Sequence, residues 1–146
     1  MNINEFAEKM MGLYPRIASA ISQYESDYLS QGKITLPQFW ALDYLYANGA
    51  SAMTTLARFF KTSKAATTGL TDRLIIQGLI LRKKDNSDRR LVKIELTSKG
   101  RSIIETIRKH KHKHLVRLFK NISARDRKEY LRILEQVVKL VSETKS

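Results

Sequence analysis

Arg89 and Arg90 stand side by side in the segment DNSDRRLVKIELT, Asp85–Thr97, directly after Asp88. A guanidinium is permanently charged and presents a planar fork of donors that matches phosphate oxygens, so adjacent arginines on a protruding turn are equipped to grip nucleic acid. The competing reading is an ordinary turn ion pair on a solvated hairpin. A second group of chemistry-bearing residues is KHKHKH, Lys109–His114, in which His110 and His114 are four apart and share a helix face, the spacing of a metal-binding pair. Three interleaved lysines oppose a cation there and the chain has no cysteine, so the run reads as a basic solvated face and no metal is expected. The lack of cysteine also removes disulfides and thiol redox switching. No glycine-rich phosphate loop and no triad spacing accompany these residues, so neither an enzymatic activity nor a cofactor is expected.

Charge points the same way as the arginines. The 146 residues carry 27 Lys plus Arg against 14 Asp plus Glu, a formal net charge of +13. Residues 1–81 hold 7 basic and 6 acidic side chains, whereas residues 82–146 hold 20 and 8. Such asymmetry argues for an anionic partner, with nucleic acid or an acidic membrane surface as the usual ones and a merely soluble basic face as the bland alternative. No run approaches the ~18 consecutive apolar residues of a membrane span, and the start, MNINEFAEKMM, lacks the order of a secretion signal. These features predict a soluble cytoplasmic protein without membrane contact.

The elements that must position the arginines follow from periodicity and turn chemistry. Around the tip, Leu91, Lys93 and Glu95 alternate with Val92, Ile94 and Leu96, as the two faces of a strand do, and Asp85, Asn86, Ser87 and Asp88 supply the turn. A strand over Leu79–Lys83 is expected to pair with it. Upstream, Thr35 caps a helix from Leu36 to Asn48, with Pro37 in its first turn and Gly49 closing it. An extended piece at Ala50–Met53 leads to a helix at Thr54–Phe60. After a short turn a helix capped by Ser63 runs to Gln77 and stops at Gly78. Two short helices joined by such a turn outline a helix-turn-helix. At the N-terminus Phe6, Met10, Leu13, Ile17, Ile21, Tyr24 and Tyr28 form one helical stripe, with a break or bend expected near Gly12–Pro15, a firm helix from Pro15 to about Ser30 and a stop at Gly32. Beyond the hairpin, Thr97 caps a helix from Ser98 to Lys120, and Ser123 with Asp126 opens a last one bearing Tyr130, Leu131, Leu134, Val137, Val138 and Val141. The fold class is therefore mainly α with a small β-hairpin wing. Residues 35–97 form a winged helix-turn-helix, and residues 1–34 and 98–146 form flanking helices whose apolar stripes call for a subunit interface, or else a monomeric bundle that covers them itself.

Over nearly its full length the chain resembles MarR-type transcriptional regulators. The resemblance rests on LPQFWALDYL, LARFF, SKAATTGLTDRL, QGLI and DRRLVKIELTSKG, above all on the spacing from Asp88 and Arg90 to Leu96-Thr97. It implies a homodimer built by the flanking helices that binds palindromic operators in double-stranded DNA, typically as a repressor released by a small aromatic or phenolic ligand. A non-specific architectural or RNA-binding winged-helix protein is the alternative. Carried over, the helix from Ser63 is the recognition helix. With Ala66, Leu70 and Leu74 turned inward, Ser63, Lys64, Ala65, Thr67, Thr68 and Thr71 face DNA, Lys64 and Arg73 towards the backbone, with a salt bridge to a nearby acid as the equal alternative for Arg73. In the wing the resemblance implies that Arg90 enters the minor groove, that Asp88 holds it, and that Arg89, Arg82, Lys83 and Lys84 meet phosphates. Arg16, Trp40 and Tyr44, one cation and two flat faces, are the implied effector-binding residues. Gly69 departs from the pattern inside the recognition helix, and Lys61-Thr62 departs from it in the preceding turn.

Overall fold

A computed structural model describes residues 1–22, 33–88 and 90–143. Helix α1 spans Ile3–Ser22 and is opened by Asn2, whose Oδ1 accepts from the Glu5 N–H at 3.0 Å while its own N–H donates to the Glu5 carboxylate at 3.2 Å. Of the break or bend expected at Gly12–Pro15, no break occurs: α1 is continuous through both residues. Pro15 forfeits one hydrogen bond, to the Met11 carbonyl, and Met11 is 70% exposed, so water can take the acceptor. The expected extension to Ser30, the stop at Gly32 and Arg89 lie outside the described residues.

Helix α2, Leu36–Asn48, has the bounds its caps predict. Thr35 N–H donates to Gln38 Oε1 at 2.9 Å and Gln38 N–H returns to Thr35 Oγ1 at 3.3 Å, a reciprocal box that satisfies two orphan donors. Gly49, at φ 74°, ends it with its N–H on the Leu45 carbonyl. Next, β1, Ser51–Ala52, leads into α3, Met53–Phe60. Lys61 stops α3 in the left-handed region at φ 51°, so a lysine performs the turn that glycine makes without steric cost. Helix α4, Lys64–Ile76, is capped by Ser63 Oγ accepting from the Ala66 N–H at 3.1 Å, and the chain leaves it through Gly78 at φ 71°.

Strands β2, Ile80–Lys84, and β3, Val92–Leu96, pair antiparallel in a register that sets Ile80 opposite Leu96 and Lys84 opposite Val92. β1 adds to the other edge of β3, which gives the order β1-β3-β2. That third strand was not legible as sheet, because two residues are too few to display a period of two. Helices α5, Ser98–Phe119, and α6, Ala124–Glu143, complete the chain. Thr97 caps α5 through Gly100 N–H at 3.0 Å, and Ser123 caps α6 through Asp126 N–H at 3.1 Å.

The chain divides into compact units Met1–Lys111 and His112–Ser146, the division falling inside α5. In the first, Phe39, Leu42 and Leu45 of α2, Leu56 of α3, Leu74 of α4, Ile80 and Ile94 of the sheet, and Ile104 and Ile107 of α5 close one apolar core. Burying so many aliphatic side chains, at ~1.5–3 kcal/mol each, dominates the stability of this unit. Cations of α5 also lie over aromatics of α2, Arg101 and Arg108 over Tyr46 at 5.3 and 5.1 Å and Lys111 over Phe39 at 4.3 Å, while Arg108 pairs with Asp43. In the second unit, Phe119 and Tyr130 rings meet at 5.6 Å and Arg127 donates to the carbonyls of Phe119 and Ile122, but α6 has no buried residue. Its Leu131, Leu134, Val137, Val138 and Leu140 are exposed, as are Phe6, Met11, Leu13 and Tyr14 on α1.

Candidate nucleic-acid interface

The wing is a hairpin tip stiffened by its own carboxylates. Asp85 N–H donates to the Leu91 carbonyl and Leu91 N–H to the Asp88 carbonyl, each at 2.9 Å, which closes the turn. Asp88 Oδ1 accepts from the Arg90 backbone N–H at 3.0 Å and from Arg90 Nε at 3.1 Å, and Oδ2 accepts from Nη2 at 3.2 Å. The guanidinium fork is therefore engaged on one edge while the side chain remains 90% exposed. That pairing, followed by the backbone donor, holds the Asp88 carboxyl below its ordinary value. Asp85 lies lower still, through the Lys93 ammonium first and the Ser87 donors second, and its side chain is only 8% exposed.

The other wing cations are more committed than their sequence suggests. Arg82 Nη2 pairs with Asp72 of α4 at 2.6 Å, and Lys83 pairs with Glu95 at 3.6 Å. Lys83 and Lys93 face each other directly across the ladder, a like-charge opposition that Glu95 and Asp85 offset. Lys84 is exposed. The Arg82–Asp72 pair ties the wing to the helix that precedes it, a cross-element link invisible to a local reading.

On α4 the structure corrects the outward face. Ser63, Lys64, Ala65 and Arg73 are exposed and Thr68 is half-buried, but Thr67 and Thr71 are each only 1% exposed. Their hydroxyls are satisfied internally: Thr67 Oγ1 donates to the Ser63 carbonyl at 3.0 Å, and Thr71 Oγ1 lies within bonding distance of the Thr67 and Thr68 carbonyls and of Met53 Sδ. With the hydroxyl bonded back to its own helix, threonine presents a methyl group to the core and behaves as a small apolar residue. Thr67, Thr71 and Leu74 thus form the inward stripe at steps of four and three, where Ala66, Leu70 and Leu74 had been expected; Ala66 is exposed and Leu70 half-buried. That spacing was the available signal. Gly69 faces outward, with nothing within 4 Å of where its Cβ would stand, so it is not a packing glycine. The exposed face of α4 is consequently low in relief, Ala65, Ala66 and Gly69 between Lys64 and Arg73.

The implied effector residues are not drawn together by any ring or ion contact among the described residues. Arg16 sits on exposed α1, Trp40 is 47% exposed on α2, and the Tyr44 ring packs on Phe59 at 4.5 Å. On α5, His110 and His112 are exposed, and no group of three or more His, Cys, Asp and Glu side chains converges among the described residues. No helix among them is long and apolar enough to cross a membrane.

The model of the MarR family matches residues 34–92, from the entry to α2 through the wing tip. YsmB of Bacillus subtilis, described as an uncharacterized HTH-type transcriptional regulator, is 34% identical over 107 residues, 73% of each chain. The chain belongs to the MarR family. A solved MarR family protein from Bacillus stearothermophilus superposes with a TM-score of 0.80 at 28% identity, covering 97% of this chain and 99% of that one. A MepR-like protein complexed with pseudoligands gives 0.60 at 29% identity, covering 95% of both. As a MarR-family member the chain is a DNA-binding transcriptional regulator of helix-turn-helix type, with α3 and α4 as the two helices and β2–β3 as the wing, in a family of regulators rather than enzymes.

Proposed function

We propose that the chain is a cytoplasmic, dimeric, sequence-specific repressor that binds a palindromic operator and is released by a small aromatic acid. The observation that carries the DNA reading is the Arg90 fork, exposed at the wing tip and oriented by Asp88. An inserted guanidinium exploits the negative potential of a narrow A·T-rich minor groove, and pre-orientation removes part of the entropy cost of placing it. The outward face of α4, from Ser63 through Lys64, Ala65, Thr68 and Gly69 to Arg73, is the candidate major-groove surface, with Lys64, Arg73 and Lys84 on phosphates. Residues 35–97 are the DNA-binding part and residues 1–34 and 98–146 the dimerisation part. The apolar, exposed faces of α1 and α6 support the dimer, since stable monomers rarely leave such stripes to water.

Selection from a random duplex pool tests this reading. The expected product is a palindrome with half-sites about one helical turn apart, preferred over random DNA by ~10³-fold or more. Failure to enrich any sequence turns the reading to a non-specific architectural protein. For the effector, the pseudoligand complex of the MepR-like relative lends support, and Trp40, the single tryptophan of the chain, is a built-in probe on the same helix as Tyr44. Titration with a hydroxybenzoate is expected to change Trp40 fluorescence in step with operator release, and Arg16→Ala to weaken both together.

A further inference from the structure

The exit of α4 is gripped by the entry of α5. The terminal carbonyls of Arg73, Leu74 and Ile75 are taken up locally by the N–H groups of Gln77, Leu79 and Gly78, and the carbonyls just beyond the helix, those of Gln77, Gly78 and Leu79, are all met by one short turn. Lys99 Nζ donates to Gln77 O at 2.9 Å, Thr97 Oγ1 donates to Gly78 O at 2.7 Å, and Thr97 N–H donates to Leu79 O at 3.1 Å. The Thr97 hydroxyl also accepts from Gly100 N–H at 3.0 Å, so the cap of α5 and the end of α4 share one oxygen. Gly100 is buried against the same peptide: a Cβ there would stand 2.8 Å from the Leu79 carbonyl carbon and would overlap its oxygen. No side chain can be inserted between the two backbones, so the junction has no slack. The Lys99 ammonium complements the negative end of the α4 dipole as well.

We infer that the Thr97–Gly100 turn is a positioning element for base reading: it fixes the tilt of α4 from behind, and Lys99 acts through the Gln77 carbonyl rather than on a DNA phosphate. The inference rests on α4 being the recognition helix. By composition Lys99 is one more cation of the basic half; its N–H to Gln77 O gives it a partner within the protein. Any rotation of the first turn of α5 is passed to α4 through these bonds.

The test compares Lys99→Met, Lys99→Arg and Lys84→Met in the full chain, measuring affinity for the selected operator and for a scrambled duplex across salt concentrations, together with amide hydrogen exchange at Gln77–Leu79 in the free protein. Lys99→Met is expected to lower the operator-to-scrambled ratio about tenfold, the size of one lost base-pair preference, with an unchanged salt slope and faster exchange at Gln77–Leu79. Lys99→Arg is expected to restore the ratio. Lys84→Met serves as the phosphate control, weakening both duplexes equally and lowering the salt slope by about 0.9. The inference is overturned if Lys99→Met behaves like Lys84→Met, if it leaves the ratio unchanged, or if Lys99→Arg fails to rescue. Should no operator be selectable, the recognition-helix reading fails; unchanged exchange in Lys99→Met would independently refute the grip itself.

Discussion

Arg90 is 90% exposed yet already held by Asp88, and the two halves of that statement predict different mutants. Arg90→Ala removes the cation proposed to enter the minor groove and is expected to cost ~1–3 kcal/mol of operator binding. Asp88→Asn leaves the cation but frees it to rotate, so a smaller loss confined to association is expected; equal losses in a binding titration would show that orientation matters as much as charge. Asp85 makes a pH prediction. Its carboxyl is depressed by Lys93 first and Ser87 next, so its contribution to wing stability is full above the unfolded carboxylate value and is lost as pH falls through the lower folded one. Asp85→Asn is therefore expected to speed amide exchange at Ser87 and Leu91 at neutral pH, with the gap to the parent narrowing below about pH 4, where the free carboxylate itself begins to protonate. A gap that stays constant into strong acid would refute the ion-pair account.

At the scale of the element, α4 combines a weak helical sequence with a well-anchored position. Gly69 is exposed with open space around it, so Gly69→Ala is expected to stabilise the fold by ~0.4–1 kcal/mol, read as a raised thermal midpoint. The same methyl group lies on the face proposed to meet DNA, so operator affinity is expected to fall while stability rises. Thr71→Val tests the opposite face: the buried hydroxyl is bonded back to its own helix, so operator preference should be unchanged. A change in preference would return Thr71 to the DNA-facing set. The caps, stops and hairpin turn of these elements were legible in sequence because their partners lie two to four residues apart, as in Thr35–Gln38, Ser63–Ala66 and Asp88–Arg90. Pro15 does not break α1, because the interruption by proline is tolerated where the freed carbonyl meets solvent.

For the whole molecule, charge and apolar surface are separately allocated. Between Ser98 and Lys120 stand eight Lys and Arg against the single acid Glu105, and part of that charge is spent inside the protein, Arg101 and Arg108 on Tyr46 and Lys111 on Phe39. The +13 total therefore overstates what is available to DNA, and the operator salt slope should reflect only the α4 and wing cations. Apolar surface is concentrated on α1 and α6. Leu131→Glu, at a position 59% exposed on the single chain, is expected to yield monomers in sedimentation velocity and to lower operator affinity by at least about tenfold, since each half-site must then bind alone. A dimer that survives this change would move the interface elsewhere.

The sequence by itself determined the helices from Leu36 onward, their caps, the wing and the resemblance to the family, because periodicity, turn chemistry and motif spacing are properties of neighbours in the chain. Even the two arginines that first suggested nucleic acid needed only Asp88 beside them. Tertiary structure decided which face of α4 is outward and which cations remain for DNA. Thr71 meets Met53 eighteen residues away, Arg82 meets Asp72 ten residues away, and Lys99 meets Gln77 twenty-two residues away. A threonine reads as polar until its hydroxyl is bonded back to its own helix, and a lysine reads as one more surface cation until a carbonyl engages one of its N–H donors; both outcomes depend on packing that no local pattern encodes.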